Sequence, residues 1–336
     1  MTVTIRDVAR ASGVHVSTVS RTFSAPHMVN AATRTRVLAV AEELGYRPNR
    51  AARALTTGRT HNLGLIVADI ANPFFPPLIK AAHAAARQRD YHLFVADTDE
   101  EPAAEEELIQ AFSKQVDGVV LCSPRSSNKA LERLAERVPF VVINRRLRGA
   151  ATVLMDVGHG AGLAVEHLAA LGHRRVALLS GPSGSWTSSE IRSAAERVPG
   201  VELIVIGPNA PTERGGLAAA PRVRESGVTG VLAYNDLMAI GLIEGLADLG
   251  LNVPGDVSVV GIDDIVPGRL NRPKLTTVAM PTAAAGRLAV DLLIQEVSAT
   301  TSLETRLVVR DSTAPPPDGL QTVVLNHGNI RPTSSR

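Results

Sequence analysis

The chain has 336 residues, 45% of them hydrophobic and 20% charged, enough for two or more domains with sizeable cores. Asp69 breaks the best apolar run, around residues 63–67, so nothing matches the about 20 apolar residues of a membrane span, and no membrane partner is expected. Arg6, Asp7 and Arg10 at helical spacing exclude a secretory signal, and the single cysteine, Cys122, excludes an intramolecular disulfide and a cysteine metal cluster. The cytoplasm is the expected compartment. Charge is uneven along the chain: residues 1–60 carry nine arginines against three acids, whereas the rest carries 26 basic and 30 acidic residues. A basic head on a mildly acidic body suits a polyanionic partner.

Thr4 with Asp7 three residues on predicts a capping box, opening a helix whose apolar face is Ile5, Val8 and Ala9. Gly13 ends it. A second helix over residues 17–22 turns Val19 inward, and the spacing of Ala9, Gly13 and Val19 is that of a helix-turn-helix. Its outer face carries Ser17, Thr18 and Arg21, short donors and one guanidinium suited to phosphates and base edges in a major groove. Asn30 caps a third helix with a buried stripe of Val37, Leu38, Ala41 and Leu44, and Gly45 and Pro48 stop it. Such a unit alone also fits a small packing module. The basic, Ala-rich segment 47–58 that follows favours DNA. That segment has too little apolar surface for a stable isolated helix, and its Leu55 suits a wedge between base pairs from the minor groove.

From residue 60 the pattern changes. Apolar runs at 63–67, 92–96, 118–121, 140–143, 176–179, 202–205, 230–233 and 257–260 predict strands. Helical stretches such as 78–88, 104–114, 162–170 and 237–249 lie between them. Strands apolar throughout, separated by amphipathic helices, predict parallel sheets covered on both faces, and eight of them divide into two sets of four or more. Ligands of open α/β sheets bind beyond the carboxyl ends of the strands, so two such halves facing each other form a cleft.

Signals for enzymatic chemistry are weak, and no catalytic residue, cofactor or metal is expected. The run from Gly158 to Gly162 lacks dinucleotide-loop spacing and reads as a helix start. The run from Gly181 to Ser185 misses the last glycine of a nucleophile elbow. His159, His167 and His173 are spaced eight and six apart, off metal-ligand spacing, and read as surface or helix-end histidines. Asp97, Asp99, Glu100 and Glu101 read as a solvated loop and helix N-terminus. Trp186, the one tryptophan, falls in a loop after a strand, where an indole suits stacking on a carbohydrate face or plugging the loop.

The residues Ile5-Arg-Asp-Val-Ala9, Gly13-Val14, Ser17-Thr-Val-Ser-Arg21 and Leu44-Gly-Tyr-Arg-Pro-Asn49 resemble the head of the lac-repressor (LacI/GalR) family of bacterial transcription regulators, and the resemblance runs to about Pro316. It implies an α/β protein: a three-helix helix-turn-helix head plus a bilobed, periplasmic-binding-protein-like core of two parallel-sheet subdomains. The implied division is a DNA-binding domain over 1–46, a hinge over 47–59, a core over 60–314 and a tail over 315–336, in which 322–325 suits an edge strand. One subdomain takes about 60–156 and 279–300, the other about 158–276 and 304–314. The crossings fall near 155–158, 275–280 and 300–305.

The resemblance further implies a homodimeric regulator, expected to be a repressor, on a pseudo-palindromic double-stranded operator. Ser17, Thr18 and Arg21 would enter the major groove, with Val16 as an apolar contact. Thr4, Ser20, Asn30, Thr33, Tyr46 and Asn49 would hold phosphates, and Ala52 and Leu55 would form the minor-groove hinge. No leucine heptad follows, which favours a dimer over a tetramer. A small-molecule effector, expected to be a carbohydrate, would meet Phe74, Asn144, Trp186, Arg192, Asn235 and Asp263. Phe75 reads as core packing, and Asp236 as the cap beside Asn235. Many relatives have aspartate at Asn144. The family's effector arginine aligns with Ile191, so either Arg192 serves or the contact is absent. A solute-binding receptor explains a bilobed body but not a basic head. A sugar-modifying enzyme needs an acid–base pair or cofactor loop that the sequence does not offer.

Overall fold

A computed structural model describes residues 3–47 and 58–317. The chain forms two compact units, residues 1–61 and 62–336. The first holds α1 (Ile5–Ser12), α2 (Val16–Ser24), a 3-10 turn (Pro26–Met28) and α3 (Ala31–Glu43). The capping box forms as the sequence predicts: the Thr4 backbone N–H and hydroxyl donate to the Asp7 carboxylate at 3.0 and 2.7 Å. Those bonds hold the Asp7 carboxyl below its ordinary range. Gly13 at φ 66° closes α1, and Val14 N–H donates back to the Ala9 carbonyl at 3.1 Å. Val8, Ala9, Val19, Val37 and Ala41 form the core of this unit. Leu38 and Leu44, expected in that stripe, are 43% and 36% exposed. Leu38 is one residue, about 100°, past Val37, and Leu44 is the C-cap of α3, beyond its last full turn. Asn49, Ala52 and Leu55, most of the hinge, and the tail beyond residue 317 lie outside the described residues.

The second unit contains two six-stranded sheets. Its elements are β1 (Asn62–Val67), α4 (Phe75–Gln88), β2 (His92–Asp97), α5 (Pro102–Phe112), β3 (Gly118–Cys122), α6 (Asn128–Ala135), β4 (Phe140–Ile143) and β5 (Ala151–Met155). Then come α7 (Val157–Leu171), β6 (Arg175–Leu179), α8 (Trp186–Ala195), β7 (Glu202–Ile206), α9 (Glu213–Ser226), β8 (Gly230–Ala233), α10 (Asp236–Asp248) and β9 (Ser258–Asp263). The last are α11 (Val266–Leu270), β10 (Thr276–Ala279), α12 (Thr282–Gln295), β11 (Thr300–Leu303) and β12 (Arg306–Val308). The first sheet has order β11-β5-β4-β3-β1-β2 and is parallel throughout. The second has order β12-β10-β9-β8-β6-β7, with β12 antiparallel to β10 and the rest parallel. Most central strands are buried along their whole length, as parallel strands covered by helices on both faces must be.

The chain passes from the first sheet to the second between β5 and α7, returns between β10 and α12, and crosses once more between β11 and β12. The Gly158–Gly162 run is the first turns of α7. A Cβ on Gly160 would lie 2.4 Å from Val278 and 2.9 Å from the Thr305 hydroxyl, so the glycine lets the helix lie against two crossing segments. His173, expected at the surface or at a helix end, follows the C-cap Gly172 of α7 but is 1% exposed. Its ring nitrogens lie 2.8 Å from Thr229 Oγ1, 3.1 Å from Ser258 Oγ and 3.0 Å from the Ala314 carbonyl, because the chain end folds back over it. Burial lowers the proton affinity of the imidazole.

Candidate functional site

In the head, α2 is capped by His15. Its Nδ1 accepts the Ser17 backbone N–H at 3.3 Å and lies 2.8 Å from the Ser17 hydroxyl. Ser17, Ser20 and Arg21 are exposed and Thr18 half-buried, while Val19 and Thr22 face the core. Val16 is half-buried against that core, leaving only part of its side chain for an outside contact. Asn30 caps α3 by accepting the Ala32 N–H at 2.9 Å, Thr33 is half-buried, and Tyr46 packs on Phe23 at 5.8 Å between ring centres. Arg21 has no ionic partner among the described residues. His15 is exposed and carried no motif signal in the sequence, although an N-cap of the outer helix sits where a backbone phosphate can approach.

A cleft lies between the two sheets, with about 470 Å³ of space between its walls when the open solvent at its mouth is included. Its lining comes from the segments beyond the carboxyl ends of the strands of both sheets, where open α/β sheets place ligands. The side chain of Asn72 accepts the Phe74 N–H at 3.0 Å and starts α4. Phe74 and Phe75 then form one aromatic wall, edge to face at 5.0 Å, so Phe75 is lining as well as core. Asn144, at φ 57°, accepts the Met155 N–H at 3.2 Å, and its amide nitrogen has no partner among the described residues.

On the second sheet's side, Asn235 rather than Asp236 caps α10. Its oxygen accepts the Met238 N–H and its nitrogen donates to the Pro211 carbonyl, both at 2.9 Å. Asp236 is fully buried and accepts from the Ile265 N–H at 2.9 Å and the Thr277 hydroxyl at 2.5 Å. Burial raises its carboxyl to about 6. Asp263, at φ 130°, lines the cleft, and no hydrogen bond reaches its carboxylate among the described residues. Burial and then the Asp236 carboxylate raise its proton affinity well above the ordinary range. Gly181 brings the chain against Tyr234: a Cβ there would lie 2.5 Å from the ring. The Tyr234 hydroxyl lies 3.2 Å from Ser185 Oγ, and burial raises its proton affinity.

Two expected residues stand outside this lining. Trp186 is half-buried at the first position of α8, and its neighbour Thr187 faces the cleft instead. Arg192 is exposed and pairs with Glu196 one turn on, at 2.7 Å, because the adjacent Ile191 takes the inward face of α8. The guanidinium in the cleft is Arg125. Its loop is fixed from below: the buried Glu105 carboxylate accepts the backbone N–H of Arg125 at 2.5 Å and of Ser126 at 2.9 Å. Glu100, expected to be solvated, clamps the guanidinium at 2.5 and 3.0 Å. Tyr234 and Glu100 keep Arg125 firmly protonated despite its burial. The Cys122 thiol is pushed up to about 12 by burial, which leaves it inert. Among the described residues no acid–histidine–cysteine group is arranged to hold a metal, and no helix is long and apolar enough to cross a membrane.

A helix-turn-helix head joined in one chain to a two-sheet binding core defines a ligand-responsive DNA-binding regulator. Residues 4–49 match bacterial regulatory proteins of the lacI family, and residues 165–313 match a periplasmic binding protein-like domain. The HTH-type transcriptional regulator GalS of Salmonella typhimurium is 33% identical over 335 residues, 93% of this chain and 97% of its own. The crystal structure of the lac repressor dimer bound to operator and the anti-inducer ONPF matches with a TM-score of 0.83 at 26% identity, over 94% of this chain and 100% of that one. A LacI family transcriptional regulator from Enterococcus faecium with bound ribose matches with a TM-score of 0.66 at 29% identity, over 76% of this chain and 99% of its own. The chain belongs to the lacI family of bacterial transcription regulators.

Proposed function

We propose that this chain is a repressor that binds a pseudo-palindromic operator as a homodimer and is controlled by a small carbohydrate-class effector held in the cleft. The observation that carries this reading is a cavity lined from both sheets, with Asn144, Asn235, Asp263 and Arg125 set around an aromatic wall, so that its occupancy is linked to the relation between the two halves. The ribose bound in the Enterococcus relative supports a sugar here. Phe74, Asn144, Asn235 and Asp263 are the assigned effector contacts, joined by Arg125. The site binds without turnover, and the protein acts in the cytoplasm, where the operator is.

In the head, Ser17, Thr18 and Arg21 are assigned to base edges. Thr4, Ser20, Asn30, Thr33, Tyr46 and Asn49 are assigned to phosphates, and Leu55 to a minor-groove wedge beside Ala52. Phe94 and Val95 on edge strand β2, and Val266 and Leu270 on α11, are large exposed apolar groups that a second copy would cover. The test is an operator-shift assay on the intact chain and on a chain lacking residues 1–58, each with and without sugar. Operator binding that the truncation abolishes and a sugar modulates supports the reading. Equal binding by both chains overturns it.

A further inference from the structure

We infer that the cleft selects an uncharged polyhydroxy effector over its acidic or phosphorylated counterpart, and that Glu100 sets this choice by neutralising Arg125. The inference rests on the cleft being the effector site, as proposed above. Arg125 is the only cationic side chain among the described residues of the lining. Its side chain is 7% exposed, and both Glu100 oxygens accept from it, Nε at 2.5 Å and Nη2 at 3.0 Å. Nη1 donates a third bond to the Ser123 carbonyl at 3.0 Å. A guanidinium has five N–H groups, so two remain, beside the Tyr234 phenol. Clamped in this way, Arg125 offers hydrogen-bond donors but no uncompensated positive charge.

The opposite wall adds no cation. Asp263 stands at the end of β9 with a carboxylate that no group among the described residues satisfies. The lining therefore carries one negative charge when Asp263 is ionised and none when it is protonated. An anionic ligand would lose its hydration without gaining an unpaired cation, which is costly in a desolvated site. A neutral sugar fits both walls: its hydroxyls donate to Asp263 and accept from the remaining Arg125 N–H groups. Arg125 cannot swing away to follow an anion, because Glu105 holds the backbone of its loop at Arg125 and Ser126.

The test is calorimetric titration of the full chain at neutral pH with D-glucose, D-galactose and D-ribose, each beside its acidic counterpart, D-glucuronate, D-galacturonate and ribose 5-phosphate. A neutral sugar should bind at least about tenfold more tightly than its acidic counterpart, and Glu100→Gln should shift that ratio toward the acid by about tenfold or more. The double variant Glu100→Gln/Arg125→Gln leaves the net charge of the lining unchanged and should keep the wild-type preference, which tests the charge balance even where the single variant does not fold. Acidic sugars binding wild type as well as neutral ones, an unchanged ratio in Glu100→Gln, lost preference in the double variant, or no neutral sugar binding at all would overturn the inference. Phe74→Ala and Asp263→Asn judge the cleft separately. A sugar whose affinity neither variant alters binds elsewhere and removes the effector-site reading, whereas affinity lost in both with an unaltered ratio in Glu100→Gln removes only the role of Glu100.

Discussion

On the outer face of α2, Ser20 and Arg21 stand exposed, and Arg21 has no ionic partner among the described residues. In the cleft, by contrast, Arg125 is clamped by Glu100 and Asn235 is bonded at both ends of its amide. The difference matches what each region meets. Exposed charge acts on a polyanion through solvent and is screened by salt. Prearranged, desolvated groups act at short range on a small ligand and discriminate by shape and hydrogen bonding. The two regions also lie in separate compact units, so damage to one should spare the intrinsic binding of the other.

Truncation should separate the two regions most sharply. Removing residues 1–58 should reduce operator-specific affinity by about 10³-fold or more while leaving sugar binding measurable by calorimetry. Salt comes next. With about six phosphates contacted, raising salt from about 50 to about 200 mM should cost the operator complex about 10³-fold, whereas sugar affinity should move less than about twofold. A flat operator response would take the head's arginines away from phosphate.

Within the cleft, Asp263→Ala should weaken sugar binding by about 1–3 kcal/mol, because a ligand hydroxyl loses its acceptor. Sugar affinity should also fall as pH drops into the raised range of the Asp263 carboxyl, since the ionised carboxylate accepts from a sugar hydroxyl more strongly than the neutral acid does, and should level off above it. Stability should respond to acid with the opposite sign through Asp236. Its folded carboxyl titrates at about 6 against the ordinary 3.8, so the folded state gains protons first and this group adds stability between those values as pH falls. Urea titrations of wild type and Asp236→Asn across that window isolate the contribution. The smallest effect belongs to Arg192→Ala, which removes an exposed pair with Glu196 worth less than about 1 kcal/mol and should leave sugar affinity unaltered.

The head was legible in the sequence because its determinants are local: a capping box three residues long, a glycine turn, and a 3.6-residue period that separates Val19 from Arg21. The eight apolar strands were legible for the same reason. β5, β10, β11 and β12 are not legible as strands: the last three are only three or four residues long, and β10 and β11 open on paired threonines and coincide with the expected crossings. Phe74, Asn144, Asn235 and Asp263 follow or end strands and could be picked out individually. The Arg125–Glu100 pair could not, because its members sit 25 residues apart in loops that only the order of β1, β2 and β3 brings together. The same holds for His173, buried by a segment 141 residues further along the chain. Arg192 looked plausible by one-residue proximity to Ile191, yet helix rotation alone places it on the solvent side.

In the proposed function, occupancy of one cleft governs operator binding by the head. Trp186, the single tryptophan, adjoins Thr187 of the lining, so its emission gives a binding curve for the same samples used to measure operator affinity. Titrating a neutral sugar that binds should shift emission and operator affinity together, with one midpoint once linkage to DNA is included, and Asp263→Asn should displace both curves by the same factor. A sugar that saturates the cleft, with its binding lost in Asp263→Asn, while operator affinity stays constant throughout would uncouple the cleft from the head and overturn the proposed control.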